Sequence, residues 1–345
     1  MDIEKENSIF NHPEYPQTKN NELLHLVPEF RNATERAAIA AAITAGTGRK
    51  KYSDGKAVEA MEEYLNTLNF SGKVVVGEGE RDKAPMLKIG ERFGTGRGPH
   101  VDIAVDPLEN TNATADFLPG AISILAISEK GGLQASPDTY MDKLVVGPRA
   151  KGKVFLDAPP EVNLRAIAKA EGKSVSDLVV VVLLRDRNLE LIDAILKTDA
   201  RVMRILDGDL MPGIATCLDG LGIDAQMGIG AAPEGVITAA AVKSLGGEMQ
   251  ARFWSKDETE IKRLYEMGGE MNKIYTQDDL AKGNVLIISA TGVTDGHVLN
   301  GVKFFGGGVR THNLTIVREV NSNLLRVEKN ERTHVFKSGT IVKFK

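Results

Sequence analysis

Apolar and polar positions divide the chain into an opening pair of helices, three strand-like pieces and a long alternation of helix and strand. Asn32-Ala33-Thr34-Glu35 has the form of a capping box, and an Ala/Ile-rich stretch follows it. Gly46 suits the position just past a helix end, so a first helix is predicted between the two. A second helix is predicted to open at Asp54, because Ala57, Met61, Leu65 and Leu68 make one apolar stripe. Residues 73–76, 101–105 and 121–127 are rich in β-branched side chains and read as strands separated by acidic turns. From about Glu161 the order becomes helix, apolar strand (178–184), helix (188–196), strand (201–206), helix, strand (223–227), helix (233–245). That alternation predicts an α/β layer on a largely parallel sheet. After Asn284 the strand-like pieces return at 285–288, 314–317, 323–327 and 340–343. The expected fold class is α/β, a two-domain sandwich without internal repeats.

Composition narrows the function classes. The 345 residues carry 43 Lys plus Arg against 47 Asp plus Glu, a net charge of -4, so no basic face is available for nucleic acid or anionic lipid. This length strains a single core and favours two units with a ligand cleft between them. Cys217 is the only cysteine; it can form no intramolecular disulfide and has no partners at zinc spacing. A free core thiol in a reducing, cytoplasmic setting is expected. The longest apolar run, 178–184, is far too short for a bilayer span. Residues 1–20 lack the apolar region of a secretory signal and read as a mobile tail.

Candidate chemistry gathers where strands stop. Val101-Asp102-Ile103-Ala104-Val105-Asp106-Pro107-Leu108-Glu109-Asn110-Thr111 is an apolar strand that ends in two carboxylates three residues apart and a hydroxyl. Pro107 should stop the ladder there, and both acids could then reach one hard cation. Val74-Val75-Val76-Gly77-Glu78-Gly79-Glu80 is a second strand running into acids between glycines, which allow close approach to a ligand. Asp54 sits at the start of the second helix, just after Lys50 and Lys51, and Glu234 follows Pro233 at the start of a later one. Any one of these acids alone reads as a cap or a surface charge. Together, with no His or Cys beside them, they match the oxygen ligands of Mg²⁺ or Mn²⁺. Gly228-Ile-Gly230-Ala-Ala-Pro233 lies between a strand and a helix but lacks the third glycine of a dinucleotide fingerprint, although a phosphate at that helix start stays open. No nucleotide-binding P-loop and no serine-hydrolase elbow occurs, and His25, His100, His297, His312 and His334 are scattered.

Asp106-Pro-Leu-Glu109-Asn-Thr111 resembles the D-P-x-[DE]-G-[ST] signature of the lithium-sensitive, metal-dependent sugar phosphatases. The wider set resembles class II fructose-1,6-bisphosphatase, the bacterial type related to the cyanobacterial fructose-1,6-/sedoheptulose-1,7-bisphosphatase. The stretches that carry it are 53–61, 76–87, 102–107, 126–131, 140–144, 207–209 and 228–235, in order within about residues 32 to 320. The resemblance implies a layered αβαβα sandwich with a metal-binding part over 21–155 and a substrate part over 156–345, the last strands returning to the first. It implies metal ligands at Asp54, Glu78, Asp106, Glu109 and Glu234. Substrate contacts fall on Lys50, on Glu109, Asn110 and Thr111, on Tyr140, on Arg185, Asp186 and Arg187, on Asp207, Gly208 and Asp209, and on Ala231.

The implied activity is hydrolysis of the 1-phosphate of fructose 1,6-bisphosphate, assisted by two or more Mg²⁺ or Mn²⁺ ions, in a cytoplasmic homo-oligomer, dimer or tetramer. Asp54, Glu78 and Thr111 would be the catalytic groups. Arg185 and Arg187 would clamp the distal phosphate, and Asp207 and Asp209 would take sugar hydroxyls. Tyr140 either donates to a phosphate or packs. Three positions depart from the family pattern: Asn110 for Gly, Arg185 where some members have Lys, and Lys51 where an amide is common. A dual activity on sedoheptulose 1,7-bisphosphate and an inositol-monophosphatase-like reaction are the alternatives, together with a catalytically dead binding protein, which the acidic ligand positions disfavour.

Overall fold

The computed structural model describes residues 21–77 and 87–335. In chain order, α1 (Asn21–Leu24), α2 (Val27–Ala42) and α3 (Lys50–Leu65) lead into β1 (Ser71–Val76), β2 (Arg92–Phe93) and β3 (His100–Glu109). Then come α4 (Thr111–Asp116), β4 (Ile122–Glu129), β5 (Tyr140–Val146), α5 (Pro160–Glu171), β6 (Val179–Leu183), α6 (Leu189–Leu196) and β7 (Arg201–Ile205). After these follow α7 (Leu210–Ala215), β8 (Ala225–Ala231), α8 (Ala232–Leu245), β9 (Glu248–Trp254), α9 (Glu258–Glu266), β10 (Tyr275–Thr276) and α10 (Gln277–Leu280). The chain closes on β11 (Val285–Gly292), β12 (Lys303–Phe305), β13 (Gly308–Glu319) and β14 (Leu324–Val335).

The strands form two sheets. The first runs β12-β13-β11-β4-β3-β1-β2 with β14 added to β13, and the second runs β10-β9-β5-β8-β6-β7. Alternation along the strands gives each sheet two apolar faces. On one face of the first sheet, Val74, Ile103, Leu125 and Ile287 pack against Phe30 and Ala37 of α2 and Met61 and Leu65 of α3. The opposite face, with Ala104, Ile124, Ala126 and Ile288, meets α7 and α8 together with Met141, Met249 and Phe253 of the second sheet. The outer face of the second sheet, with Leu144, Val180 and Met227, is covered by Leu164 and Ile167 of α5 and Ile192 and Ile195 of α6. The layers are therefore helix, sheet, helix, sheet, helix. Among the described residues no helix is long and apolar enough to cross a membrane.

Several local expectations are corrected. Helix α2 begins at Val27, with a proline in its first turn, so Asn32 lies inside the helix and Asn32–Glu35 is no capping box. Thr34 and Glu35 instead face a buried polar seam, Thr34 Oγ1 lying 2.9 Å from Ser289 Oγ and Glu35 Oε1 accepting from Thr311 Oγ1 at 3.0 Å. The helix ends at Ala42, well before Gly46. Asp54 does not open α3 but sits in its second turn. The second sheet is mixed: β6 is parallel to β7 and β8, while β5 lies antiparallel between β8 and β9. Strands β5 and β9 are absent from the sequence reading, and their insertion breaks the parallel run. The pieces at 1–20 and 340–343 lie outside the described residues. Cys217 packs against the middle layer, and burial pushes its thiol up to about 11.

Candidate active site

The turn after β3 explains how two acids three residues apart face the same way. In a regular strand Asp106 and Glu109 would point to opposite faces. Here Asp106 pairs with Ile124 and Glu109 with Ile122, so three steps on β3 match two on β4. The extra residue is a β-bulge, and it turns both carboxylates to one face. Pro107 sits within it, where β3 has no register partner on β4, a place a residue without an N–H can occupy. The ladder thus continues past Pro107 to Glu109, against the sequence expectation.

Asn110 then takes the left-handed conformation, φ 66° and ψ 56°, and its Oδ1 accepts from Ala113 N at 3.2 Å as the N-cap of α4. The family's Gly is thus replaced by a residue that tolerates positive φ and adds a cap. Thr111 Oγ1 donates to the Leu108 carbonyl at 3.1 Å.

Glu234, in the first turn of α8, completes the cluster. Carboxylate oxygens of Asp106, Glu109 and Glu234 all lie within 4.8 Å of one another. Burial pushes the Glu109 carboxyl up to about 7; the charges of Asp209 and Asp207 add to the rise, while a hydrogen bond with Asp106 and the Lys143 ammonium oppose it. Burial, then the charges of Glu109 and Asp209, raise Glu234 well above the ordinary carboxylate range. Glu234 Oε2 is buried without a hydrogen-bond partner. An all-oxygen set in which Glu109 is buried and Asp106 and Glu234 are half-buried, with charges that repel and an orphaned acceptor, has the chemistry of a hard divalent-cation site. Asp54 is not part of this group, and Glu78 lies outside the described residues.

The three acids open into a cleft of ≈ 370 Å³ that also gathers Asn110, Thr111, Tyr140, Arg185, Arg187, Asp207, Gly208, Asp209 and Ala231. Lys50 instead lines an adjoining, mostly apolar pocket of ≈ 610 Å³, and Asp186 is exposed and outside the cleft lining. Arg185 and Arg187 flank the short turn between β6 and α6. Arg185 Nη2 pairs with Asp207 Oδ1 at 2.7 Å, and Asn112 Nδ2 donates to the other oxygen of Asp207 at 2.6 Å. The Arg187 guanidinium lies 4.3 Å from the centre of the Tyr140 ring and donates to the Ile229 carbonyl at 3.2 Å. The ring of Tyr140 is thus a packing platform, with Trp254 edge-on at 6.0 Å.

Three residues that position this cleft escaped the sequence reading. Asn188 staples the ends of β6 and β8: its Nδ2 donates to the carbonyls of Leu183 (3.0 Å) and Ile229 (3.1 Å), and its Oδ1 accepts from Ile229 N (2.8 Å). Lys143 pairs with Asp209 at 2.6 Å in the interior. Asn112 ties α4 to the Asp207 loop. None carried a local signal, because each acts on partners distant in the chain and Lys143 sits in β5, whose pattern it interrupts.

The two glycines of Gly228-Ile-Gly230 are also explained. A Cβ on Gly228, which has φ +106°, would meet Asn188 Oδ1 at 2.9 Å, and one on Gly230 would meet Asp209 Oδ2 at 1.9 Å. They clear space for side chains rather than cradle a dinucleotide.

Comparison with known proteins gives the family. A family model described as bacterial fructose-1,6-bisphosphatase, glpX-encoded, matches residues 24–331. The chain belongs to that family. Among its relatives, a protein of Synechococcus sp. (strain JA-3-3Ab) named D-fructose 1,6-bisphosphatase class 2/sedoheptulose 1,7-bisphosphatase is 46% identical over 313 residues, covering 84% of this chain and 90% of that protein. Proteins of the same name from Prochlorococcus marinus (strain NATL1A) and Gloeobacter violaceus are 44% identical over 305 residues and 42% identical over 320, with 84% and 85% of this chain covered and 91% and 92% of theirs. This bisphosphatase family is metal-dependent, and among the described residues Asp106, Glu109 and Glu234 form an acidic cluster that could hold a metal ion.

Proposed function

We propose that this cleft hydrolyses the 1-phosphate of fructose 1,6-bisphosphate, with Mg²⁺ or Mn²⁺ held by Asp106, Glu109 and Glu234. Fructose-bisphosphatase activity, a phosphoric monoester hydrolysis, follows from the family; the residue roles are our reading. The observation that carries it is the joining of a carboxylate cluster and an arginine pair in one cleft. A bound divalent cation would polarise the phosphoryl oxygens and ease loss of a proton from the attacking water.

The protein's own groups do the rest. Asp106, Glu109 and Glu234 would hold the cation, and Asp54 and Glu78 are expected to complete the ligand set. Thr111, one residue past the αL turn, has a hydroxyl that can rotate from the Leu108 carbonyl to orient water or a phosphate oxygen. Arg187, stacked on Tyr140, and Arg185, poised by Asp207, present guanidinium groups to the distal phosphate, where fork geometry suits three equivalent oxygens. Asp209 is left to accept sugar hydroxyls, with Gly208 and Ala231 offering backbone contact, while Lys50 stands in the adjoining pocket. Binding energy from the non-reacting phosphate is used to place the scissile one. Activity on sedoheptulose 1,7-bisphosphate is a second reading, favoured by the names of the relatives. The division into a metal-binding part over 21–155 and a substrate part over 156–345, a dimeric or tetrameric assembly and a cytoplasmic location belong to the same proposal.

Arg187→Ala tests the reading. It should lower kcat/KM for fructose 1,6-bisphosphate by about 1–3 kcal/mol of transition-state binding while leaving hydrolysis of a sugar monophosphate nearly unchanged. Equal losses on both substrates, or a wild type that prefers the monophosphate, would transfer the assignment to an inositol-phosphatase-like reaction.

A further inference from the structure

Lys143 is one of the largest fully buried side chains in the protein, on a central strand of the second sheet. A lysine in that position requires a reason, since desolvating an ammonium is costly unless it is paired and hydrogen-bonded. Its Nζ meets Asp209 Oδ2 at 2.6 Å and donates to the Ala231 carbonyl at 3.1 Å. Side-chain exposures of 1% and 7% make the pair dry. Gly230 on the neighbouring strand β8 has no Cβ, and one there would lie 1.9 Å from Asp209 Oδ2 and 2.8 Å from Lys143 Nζ. The chain thus keeps one residue bare to house the pair. Its two ends reach both parts of the site: Asp209 lines the cleft, and the Ala231 carbonyl lies three residues before Glu234.

We infer that Lys143 is a positioning residue with two effects: it fixes the Asp209 carboxylate towards the sugar, and it supplies a positive charge beside the Asp106–Glu109–Glu234 cluster that moderates how tightly a cation is held. The second effect follows from placement: the Lys143 chain passes Gly235, the residue after Glu234, where a Cβ would lie 3.7 Å from its Cδ, and its partner Asp209 shares the cleft lining with Glu109 and Glu234, so a positive and a negative charge both stand beside the acids. With the pair intact the two influences largely offset one another. With Lys143 removed, Asp209 adds an uncompensated negative charge to the cluster. A cation should then bind more tightly, while Asp209, no longer held, should serve the sugar less well. A purely structural role predicts no such opposition, because a loosened fold weakens both.

The inference rests on the metal and substrate reading above, and the test separates the two. Mn²⁺ alone is titrated calorimetrically into wild type, Lys143→Met and the charge-balanced double variant Lys143→Met with Asp209→Asn, and kcat and KM for fructose 1,6-bisphosphate are measured for all three. The double variant leaves no unpaired buried charge and covers the case in which Lys143→Met fails to fold. Lys143→Met should bind Mn²⁺ several-fold more tightly with KM raised about tenfold. The double variant should return to the wild-type Mn²⁺ affinity and keep the raised KM. Wild-type Mn²⁺ affinity together with wild-type KM in the double variant, or weaker Mn²⁺ binding in a folded Lys143→Met, would overturn the inference while leaving the metal reading intact. A wild type that takes up no Mn²⁺ would overturn both.

Discussion

The acidic cluster should make the metal-free protein lose stability as pH rises. Glu109 has its carboxyl pushed up to about 7 from an ordinary 4.5, chiefly by burial. Between those values the folded state holds a proton that the unfolded state has released. The stabilisation is complete below about pH 4.5 and is lost as pH climbs through about 7. A displacement of roughly 2.5 pH units corresponds to about 3 kcal/mol for Glu109 at the upper limit. Glu234 shifts in the same direction, but the two acids titrate as a coupled set, so their contributions do not simply add. In a protein of this length the loss should appear as a fall of a few degrees in Tm. Calorimetric melting in excess chelator at about pH 5.5 and about pH 8 captures about 2 kcal/mol of it. Saturating Mg²⁺ or Mn²⁺ should abolish the fall, because a bound cation stabilises the ionised acids. Glu109→Gln should flatten the metal-free profile and raise Tm at the higher pH, its amide donating to Asp106. A metal-free wild type whose Tm is the same at both pH values, or a Glu109→Gln variant less stable than wild type at the higher one, would refute the reasoning.

The remaining predictions concern individual residues. Asn110→Gly relieves the left-handed φ of 66° at the expense of the cap to Ala113, so stability should stay within about 1 kcal/mol and kcat/KM near wild type, whereas Asn110→Ala loses the cap and keeps the strain, and should be less stable than the Gly variant by about 1–2 kcal/mol in thermal denaturation. A Gly variant that loses activity more than about tenfold would show that the Asn110 amide acts on a phosphate oxygen. Gly230→Ala places a methyl group against the Lys143–Asp209 pair and should lower stability in urea by on the order of 2–3 kcal/mol, with an unchanged midpoint counting against the packing described.

Elements whose patterns are local were legible in the sequence. The apolar stripe of α3 and the β-branched cores of β1, β3 and β4 lie where periodicity places them. The alternation after Glu161 correctly implied β6, α6, β7, β8 and α8, but not the antiparallel β5 between β8 and β9. Strand β9 carried a usable signal, since Met249, Ala251 and Phe253 are buried and alternate with more exposed neighbours. In β5 the pattern is disguised by Asp142 and Lys143, whose burial depends on Arg252 and Asp209 from distant segments. The same limit applies to the site. Each acid was visible at a strand end or helix start. The bulge that turns Asp106 and Glu109 to one face depends on pairing with β4, and the capping role of Asn110 depends on its φ. Asn32–Glu35 shows the converse error: a local capping pattern is overridden by burial of Thr34 and Glu35 against β11 and β13.

The central claim is that a divalent cation held by the clustered acids drives hydrolysis of a sugar bisphosphate. Phosphate release from fructose 1,6-bisphosphate should be followed with saturating Mn²⁺ and with excess chelator, for wild type and for Glu234→Ala and Asp106→Ala variants shown to be folded. The account predicts turnover only in the wild type with Mn²⁺, with most activity and Mn²⁺ binding lost in both variants. Full activity in chelator, or wild-type turnover in either variant, would contradict it.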